Sequence, residues 1–403
     1  MKIGIYLGKY IFADAKSGGV FTFQQSILNS LVELNDQHDL YIFSDDANRF
    51  PKNSKLNFVQ LNRFYANENE SFFKTQILRI YRKIKRNRLE KNYFSALNKA
   101  VLEKNIELMW FVTPAYEFVE VPYVYTVWDL QHRKQSFFPE VSIAGWKFED
   151  REKRYNLAIP RAAYVAIGNE SGKDEIVKFY GIPPERVKTI PMPTPNFVFN
   201  KFEIDSNLEK KLPEKFLFYP AQFWPHKNHI VILYALNILK EKHGLDFSVV
   251  FTGSDKGNLK YIKQKVKELD LQDKVYFLGF VSIQKLITLY KNAFALVFAS
   301  FFGPDNIPPL EAFALKCSVI AAKVDGSQYQ LKDAALLFNP TNENELADCV
   351  KNLLDDKELK EKLIENGVKK ANVFSSKNYI KQIFNIFDEF ALIRRCWSNT
   401  EKY

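Results

Sequence analysis

The stretch VFASFFGPDNIPPLEAFALKCSVIAA, residues 297–322, decides how the rest of the chain reads. It opens on a short apolar run and passes through a loop with one glycine and three prolines. A helical pattern starts at Leu310, and a second apolar run, Ser318–Ala322, closes the stretch. Strand, turn-rich loop, helix and strand in that order describe a βαβ unit of a parallel sheet. The loop empties into a helix N-terminus, whose unpaired N–H groups and positive dipole end favour an anion. Glu311 lies in the first turn of that helix. The alternative is an ordinary strand-to-helix turn with an acid that complements the dipole, and this stretch alone leaves both readings open.

Alternating strands and helices extend to both sides. Downstream of about residue 212 the order is strand Phe216–Pro220, helix His229–Lys242, strand Phe247–Gly253, helix Leu259–Leu269, strand Val275–Leu278 and helix Ile283–Lys291. Upstream, Lys2–Gly8, His38–Phe43, Leu108–Val112, Val121–Val127, Ala162–Gly168 and Val187–Pro191 read as strands. Helical spacing covers Phe21–Leu34 and the run from Asn169 to about Tyr180. Both halves are therefore expected to be α/β, with helices over mostly parallel sheets. At 403 residues the chain is too long for one ordinary core. The aperiodic, proline-containing Met192–Lys211 reads as a linker. Residues 1–195 are expected to form one Rossmann-like domain and 196–378 a second. The amphipathic tail, 379–403, is expected to pack back onto the first.

Composition narrows the function. No apolar run is long enough to span a membrane, and the apolar core of MKIGIYLG is too short for a secretion signal. Cys317, Cys349 and Cys396 form no CxxC pair, which points to a reducing cytoplasm and away from a disulfide framework or a zinc site. His226 and His229 are spaced i, i+3 with no third ligand in view, so no metal is expected. A net charge of +10 suggests an anionic partner. Residues 74–91 carry eight Lys/Arg against one Glu, with apolar residues near helical spacing. They make either a basic amphipathic helix on an anionic membrane surface or a solvated helix face over the core. Nucleic acid is not expected, since the segment has few aromatics to stack bases.

Several residues fall where such folds place ligands, just past the carboxyl ends of strands. Gly18 and Gly19 follow the first strand, where they either admit a ligand close to the backbone or make a turn. Trp128, Asp129 and His132 follow Val121–Val127, with a structural Asp cap as the rival reading. Lys227 follows Phe216–Pro220 and suits a diphosphate, which needs fixed cationic donors as it leaves. Glu311, itself an anion, suits two adjacent ribose hydroxyls instead. GxGxxG and GxxxxGK[ST] patterns are absent, so neither a dinucleotide fingerprint nor a P-loop is read.

Taken in order, FYPAQFWPHKNH (218–229), LGFVSIQKLITLYKNAFALVFAS (278–300), FGPDNIPPLEAFALKCSVIAAKVDG (302–326), DAALLFNP (333–340) and AIGNESGKDEIVKFYGIPPERV (166–187) resemble a known family. The chain is similar to retaining, sugar-nucleotide-dependent glycosyltransferases of family four, with the GT-B fold of two Rossmann-like domains facing each other across a cleft. The resemblance implies a metal-independent transfer of a sugar from a nucleoside diphosphate, carrying a GDP, UDP or dTDP head, to a glycan or lipid-linked acceptor. Cell-surface polysaccharide or lipopolysaccharide O-antigen synthesis, on the inner face of the cytoplasmic membrane, is the setting it suggests. It implies Lys227 on the donor diphosphate with Gln222 nearby, Glu311 on the ribose and Asn306, Ile307 and Pro308 at the phosphate turn. Gly279, Phe280 and Val281 fall near the base, and Gly18 and Gly19 near the donor phosphate and acceptor. Asp129 and Asp305 fall at the reaction centre, with Trp128 and His132 on the acceptor side.

Three positions depart from the family pattern. Gly303 stands where the first acid of a paired-glutamate motif is expected, two residues before Asp305. Gln222 replaces an arginine, and Trp128 a histidine. The departures admit two other readings, a non-catalytic nucleotide-sugar-binding subunit and an epimerase acting on the sugar nucleotide itself.

Overall fold

The computed structural model describes residues 1–8, 19–34, 38–45, 56–61, 95–142, 147–303 and 305–398. Gly18 and the basic stretch 74–91 lie outside the described residues. Two parallel sheets organise the chain. The first has strand order β3-β2-β1-β4-β5-β6-β7. Its strands are β1 Lys2–Tyr6, β2 Asp39–Ser44, β3 Asn57–Gln60, β4 Leu108–Phe111, β5 Tyr123–Thr126, β6 Tyr164–Ile167 and β7 Val187–Thr189. The second has order β10-β9-β8-β11-β12-β13. Its strands are β8 Phe216–Pro220, β9 Ser248–Thr252, β10 Val275–Phe277, β11 Ala295–Phe298, β12 Val319–Ala322 and β13 Leu336–Phe338.

The strands of both sheets are short apolar runs because helices cover them. β4, β5, β6, β9, β11 and β12 are buried at every residue, as a parallel sheet with both faces covered requires. Burying each Phe, Leu or Val of such a strand contributes about 1.5–3 kcal/mol. Strand order in both sheets runs outward in two directions from a central pair, β1/β4 in the first and β8/β11 in the second. That reversal opens a crevice at the carboxyl ends of the central strands, the usual ligand position in open α/β sheets.

The chain forms two compact units, one of Met1–Val127, Asn156–Ala166 and Lys381–Tyr403, the other of Trp128–Tyr155 and Ile167–Ile380. Within the first unit, the end of the helix Ser376–Arg394 packs Phe387 edge-on to Trp110, while Tyr164 donates to Glu389 at 2.9 Å. Within the second, the loop residues Trp128–Tyr155 belong with the β8–β13 sheet.

Local structure differs from the sequence reading at identifiable places. The helix expected from Leu310 begins three residues earlier and spans Ile307–Ala314. Pro308 and Pro309 fit its first turn, where no intrahelical N–H bond is needed. The linker holds a 3-10 turn, Asn196–Phe199, and a single helical turn, Ser206–Glu209. Strand β3 and the helices Ala96–Glu103 and Phe148–Ala158 had no clear period to announce them; the last is mostly charged.

The close passage between the loops after β8 and β9 depends on Gly253. Its φ is +133°, and a Cβ there would stand 2.4 Å from the Ala221 carbonyl oxygen. Gly253→Ala is expected to cost about 2 kcal/mol or more. Thermal unfolding should report this as a loss of several degrees, with no change in the sheet content seen by circular dichroism.

Candidate functional site

The loop after β8 delivers a lysine to the central crevice of the second sheet. Pro225–Lys227 forms a 3-10 turn, and Asn228 then takes the left-handed conformation, φ 54°, that starts the helix His229–His243. Asn228 is anchored there by a 2.7 Å bond from its Nδ2 to the Pro340 carbonyl. The turn aims Lys227 across the β8/β11 switch point, where its Nζ lies 3.5 Å from Ser300 Oγ and 5.1 Å from the Phe298 ring centroid. No described carboxylate comes within ion-pair distance of it. Burial pulls its pKa down to about 8, against the opposing charges of Asp129 and Glu140. An under-compensated cation at this edge is what an anionic ligand would neutralise.

The loop after β11 forms the facing wall. Ser300 Oγ donates to the Phe302 carbonyl at 2.8 Å and accepts from the Phe302 N–H at 3.1 Å. Gly303 has φ +93°, and a Cβ on it would meet Asn306 Oδ1 at 2.6 Å. The Asn306 side chain donates to the Gly303 carbonyl at 2.6 Å, closing the loop on itself. An acid at position 303 has neither the backbone conformation nor the space, so this loop is built around its departure from the family pattern. Gln330 grips Asn306 from the side, accepting from its N–H at 3.0 Å and donating to its carbonyl at 2.9 Å.

These contacts leave the helix start a narrower anion site than its sequence suggests. Asn306 N–H is taken by Gln330, and Pro308 and Pro309 have no N–H. Among the described residues, Ile307 N–H is the one amide of that first turn left open. One turn on, Glu311 is buried, with Oε2 accepting from Tyr290 OH at 2.7 Å. Burial raises its carboxyl to about 7, with the Tyr290 bond opposing. Its Oε1 takes no hydrogen bond among the described residues.

Asp129 follows β5 and is held by the helix Phe148–Ala158. Arg151 Nη2 donates to its Oδ1 at 2.8 Å and to its carbonyl at 3.0 Å, and the Gln131 N–H donates to Oδ1 at 2.9 Å. Burial pushes this carboxyl up, but Arg151 and Gln131 outweigh burial and hold it below its ordinary value. Asp129 is therefore a fixed anion close enough to act on the charge of Lys227. His132 is fully buried, its Nε2 2.6 Å from Glu152 Oε1 and its ring against Phe148 and Tyr155. Burial lowers its pKa to about 4, so it is neutral at pH 7. Trp128 is half-buried beside Asp129.

Asp305 turns away from the helix start. Its Oδ2 accepts from Asn169 Nδ2 over Gly168, where a Cβ would collide with it. Burial raises its carboxyl to about 6, with the Asn169 bond opposing. It lines a cavity of about 230 Å³ with Asn169, Thr189, Tyr329 and Gln330. Gln222 accepts from Trp224 Nε1 at 3.1 Å. Gly279, in the left-handed region at φ 64°, accepts at its carbonyl from Gly253 N–H at 2.8 Å, and Phe280 beyond it is exposed. Val281 packs against the second core. Gly19 starts the helix Gly19–Leu34 in the first unit.

The second unit thus sets Ser300 against Lys227, with Asp129 close enough to act on its charge, while Ile307 and Glu311 lie on the helix that follows the same β11 loop. Sequence reasoning missed Arg151, Gln330 and Glu140, which sit in helices with no motif, and Tyr290 and Ser300, which lie in the 278–300 stretch without a role assigned to them. The one available signal was Tyr290 amid apolar helix positions, a hydroxyl that needs a buried partner.

Among the described residues no group of three or more His, Cys, Asp or Glu side chains is placed to hold a metal ion. No described helix is long and apolar enough to cross a membrane. Residues 200–370 match the family model described as glycosyl transferases group 1. The matched region spans the whole β8–β13 sheet. Among curated proteins, the chain is 28% identical over 197 residues to the O-antigen chain mannosyltransferase RfbU of Salmonella typhimurium, covering 49% of this chain and 52% of that protein. It is 21% identical over 245 residues to the O-antigen chain mannosyltransferase B of Escherichia coli, covering 59% and 63%. These alignments span about half to two thirds of the relatives' length. Among solved structures, Anabaena HepE in complex with UDP superposes with TM-score 0.68 at 16% identity over 96% of this chain and 100% of that one. WaaG, a glycosyltransferase involved in lipopolysaccharide biosynthesis, superposes with TM-score 0.63 at 15% identity over 95% and 99%. At such identities the likeness establishes the fold, GT-B.

Lys227 gives the second unit a pH-dependent stability. With a folded pKa of about 8 against an ordinary 10.5, the unfolded chain binds a proton that the folded one has lost between those values. Stability from this position therefore rises with pH through that window and is lowest below it. Lys227→Met is expected to raise the melting temperature at pH 7, the gain shrinking towards pH 10.5. A fall in melting temperature at pH 7 would contradict the assignment.

Proposed function

We propose that the protein is a glycosyltransferase that moves a sugar from a nucleoside diphosphate to a glycan or lipid-linked acceptor with retention of configuration. The observation that carries this reading is Lys227 facing Ser300 across the β8/β11 switch point with no carboxylate paired to it. In this reading the ammonium and the Ile307 N–H hold the diphosphate and stabilise the negative charge that grows on it as the glycosidic bond breaks. Glu311 receives the two ribose hydroxyls at its open Oε1. Gly279, Phe280 and Val281 border the base, and Gln222 offers its amide N–H beside the phosphates. Gly19, and Gly18 outside the described residues, serve the donor phosphate and acceptor from the first domain, 1–195.

Asp129, kept ionised by Arg151, is suited to offset positive charge at the anomeric carbon and unsuited to give a proton. Asp305, turned to Asn169, serves a sugar hydroxyl in this reading from the cavity it lines and not from the position of the acid that Gly303 excludes. Trp128 borders the acceptor, and buried His132 supports it from behind. A front-face displacement on this arrangement gives retention without a metal. The Gly-Pro-x-Asn-Ile-Pro-Pro loop, the mannosyltransferase relatives and the fold likeness to lipopolysaccharide enzymes support a variant subgroup acting in O-antigen or related polysaccharide synthesis.

Two measurements test this. Thermal-shift and calorimetric screens of UDP, GDP, dTDP and ADP sugars should find one selective ligand. Lys227→Ala should weaken it roughly 10- to 100-fold, and Glu311→Ala about tenfold. Binding and transfer that survive both substitutions would sink the site. We further propose that the basic residues 74–91 bring the enzyme to the anionic inner face of the cytoplasmic membrane. Co-sedimentation with anionic vesicles should then occur at low salt and fade at high salt. Absence of binding at low salt would remove that role.

A further inference from the structure

The residues that follow Asp129 fasten three loops of the second unit's sheet edge together. Lys134 Nζ pairs with Asp325 Oδ2 at 2.5 Å, beyond β12. Gln135 Nε2 donates to the Phe301 carbonyl at 2.8 Å, beyond β11. Phe138 packs edge-on to Phe302, with centroids 5.1 Å apart. Glu140 reaches the loop beyond β8, where its Oε1 accepts from both the backbone N–H of His226, at 3.1 Å, and the ring Nδ1 of His226.

Glu140 is 1% exposed, and its Oε2 is buried with no hydrogen-bond partner among the described residues. A carboxylate kept in such a place is costly. Burial pushes its carboxyl up, yet the His226 bonds reverse that and leave it charged. Burial holds His226 near 4, so its ring is neutral at pH 7 and Nδ1–H is the donor. The same ring stacks on Phe302, with centroids 4.2 Å apart at 15°. One acid thereby fixes the turn that carries Lys227 and, through the stacked ring, the loop that carries Ser300.

We propose that Glu140 is a positioning residue. It clamps the His226-Lys227 turn to the segment that carries Asp129 and, together with Asp129, places buried negative charge beside the lysine that takes a diphosphate. This rests on the diphosphate reading of Lys227 given above. The titratable groups acting on or beside Lys227 are Asp129 and Glu140, both anionic, and the neutral His226 and His229. Glu140 never touches the ligand in this account.

The test is calorimetric titration of UDP, GDP, dTDP and ADP into the full chain and into Glu140→Gln and Glu140→Ala, from about pH 6.5 to 9.5. For the wild type, affinity for the preferred diphosphate should decline through about pH 8 as Lys227 loses its proton. Glu140→Gln keeps an acceptor for His226 but not the charge. It should match the wild type at the acid end and lose affinity at a lower pH. Glu140→Ala should bind roughly tenfold more weakly at every pH. If Glu140→Ala proves too unstable to titrate, the Gln variant still decides. Superimposable pH profiles for Glu140→Gln and the wild type would overturn this inference and leave the diphosphate reading standing. A wild type that binds none of the four diphosphates would overturn both.

Discussion

An ammonium held at the edge of a parallel sheet without a paired carboxylate is the constraint on which this structure turns. Lys227 sits where the strand order of the second sheet reverses, at the carboxyl ends of β8 and β11. The fold supplies the crevice, the 3-10 turn supplies the direction, and burial lowers the charge's comfort enough to pull its pKa to about 8. A protein selected for stability alone would pair or replace such a group. In the reaction proposed above it acts as preorganised electrostatics: the charge stands ready where a leaving diphosphate develops its own, so little reorganisation is needed at the moment of reaction.

The carboxylates around it divide into two kinds. Asp129 and Glu140 are held ionised by Arg151 and His226, and both support the Lys227 charge at a distance. Glu311 and Asp305 are pushed up to about 7 and 6 by burial, with one hydrogen bond each. The first kind supports the Lys227 charge; the second is held close to neutral pH by burial, Glu311 against Tyr290 and Asp305 against Asn169. Environment alone separates these roles, because the four are the same functional group.

Much of the fold was legible in the chain. Buried parallel strands read as continuous apolar runs, and helices between them kept their period, so β8–β12 and the helices between them stood out. Lys227 falls in the loop after β8 and Glu311 on the helix after β11, the places their sequence neighbourhoods indicate. What escaped had no local signal. Arg151 lies on a mostly charged helix, and its carboxylate partner, Asp129, is 22 residues away. Tyr290 and Gln330 reach the site from elements whose sequence reads as ordinary packing. The helix start moved from Leu310 to Ile307 because proline, read as a breaker, is at home in a first turn. The same two prolines, together with Gln330, leave Ile307 N–H as the open amide of a helix start that looked richer in donors. Gly303 looked like a lost acid, and its φ of +93° shows a loop that requires glycine.

The proposal that binds these points is that Lys227, supported by Asp129 and Glu140 only at a distance, takes a diphosphate. Heteronuclear NMR of the Lys227 side chain, with and without the preferred nucleoside diphosphate, tests it most directly. The account predicts titration near 8 in the free protein and a clear upward shift when the diphosphate binds. A value near the ordinary 10.5, or a titration that a bound diphosphate leaves unmoved, would contradict it.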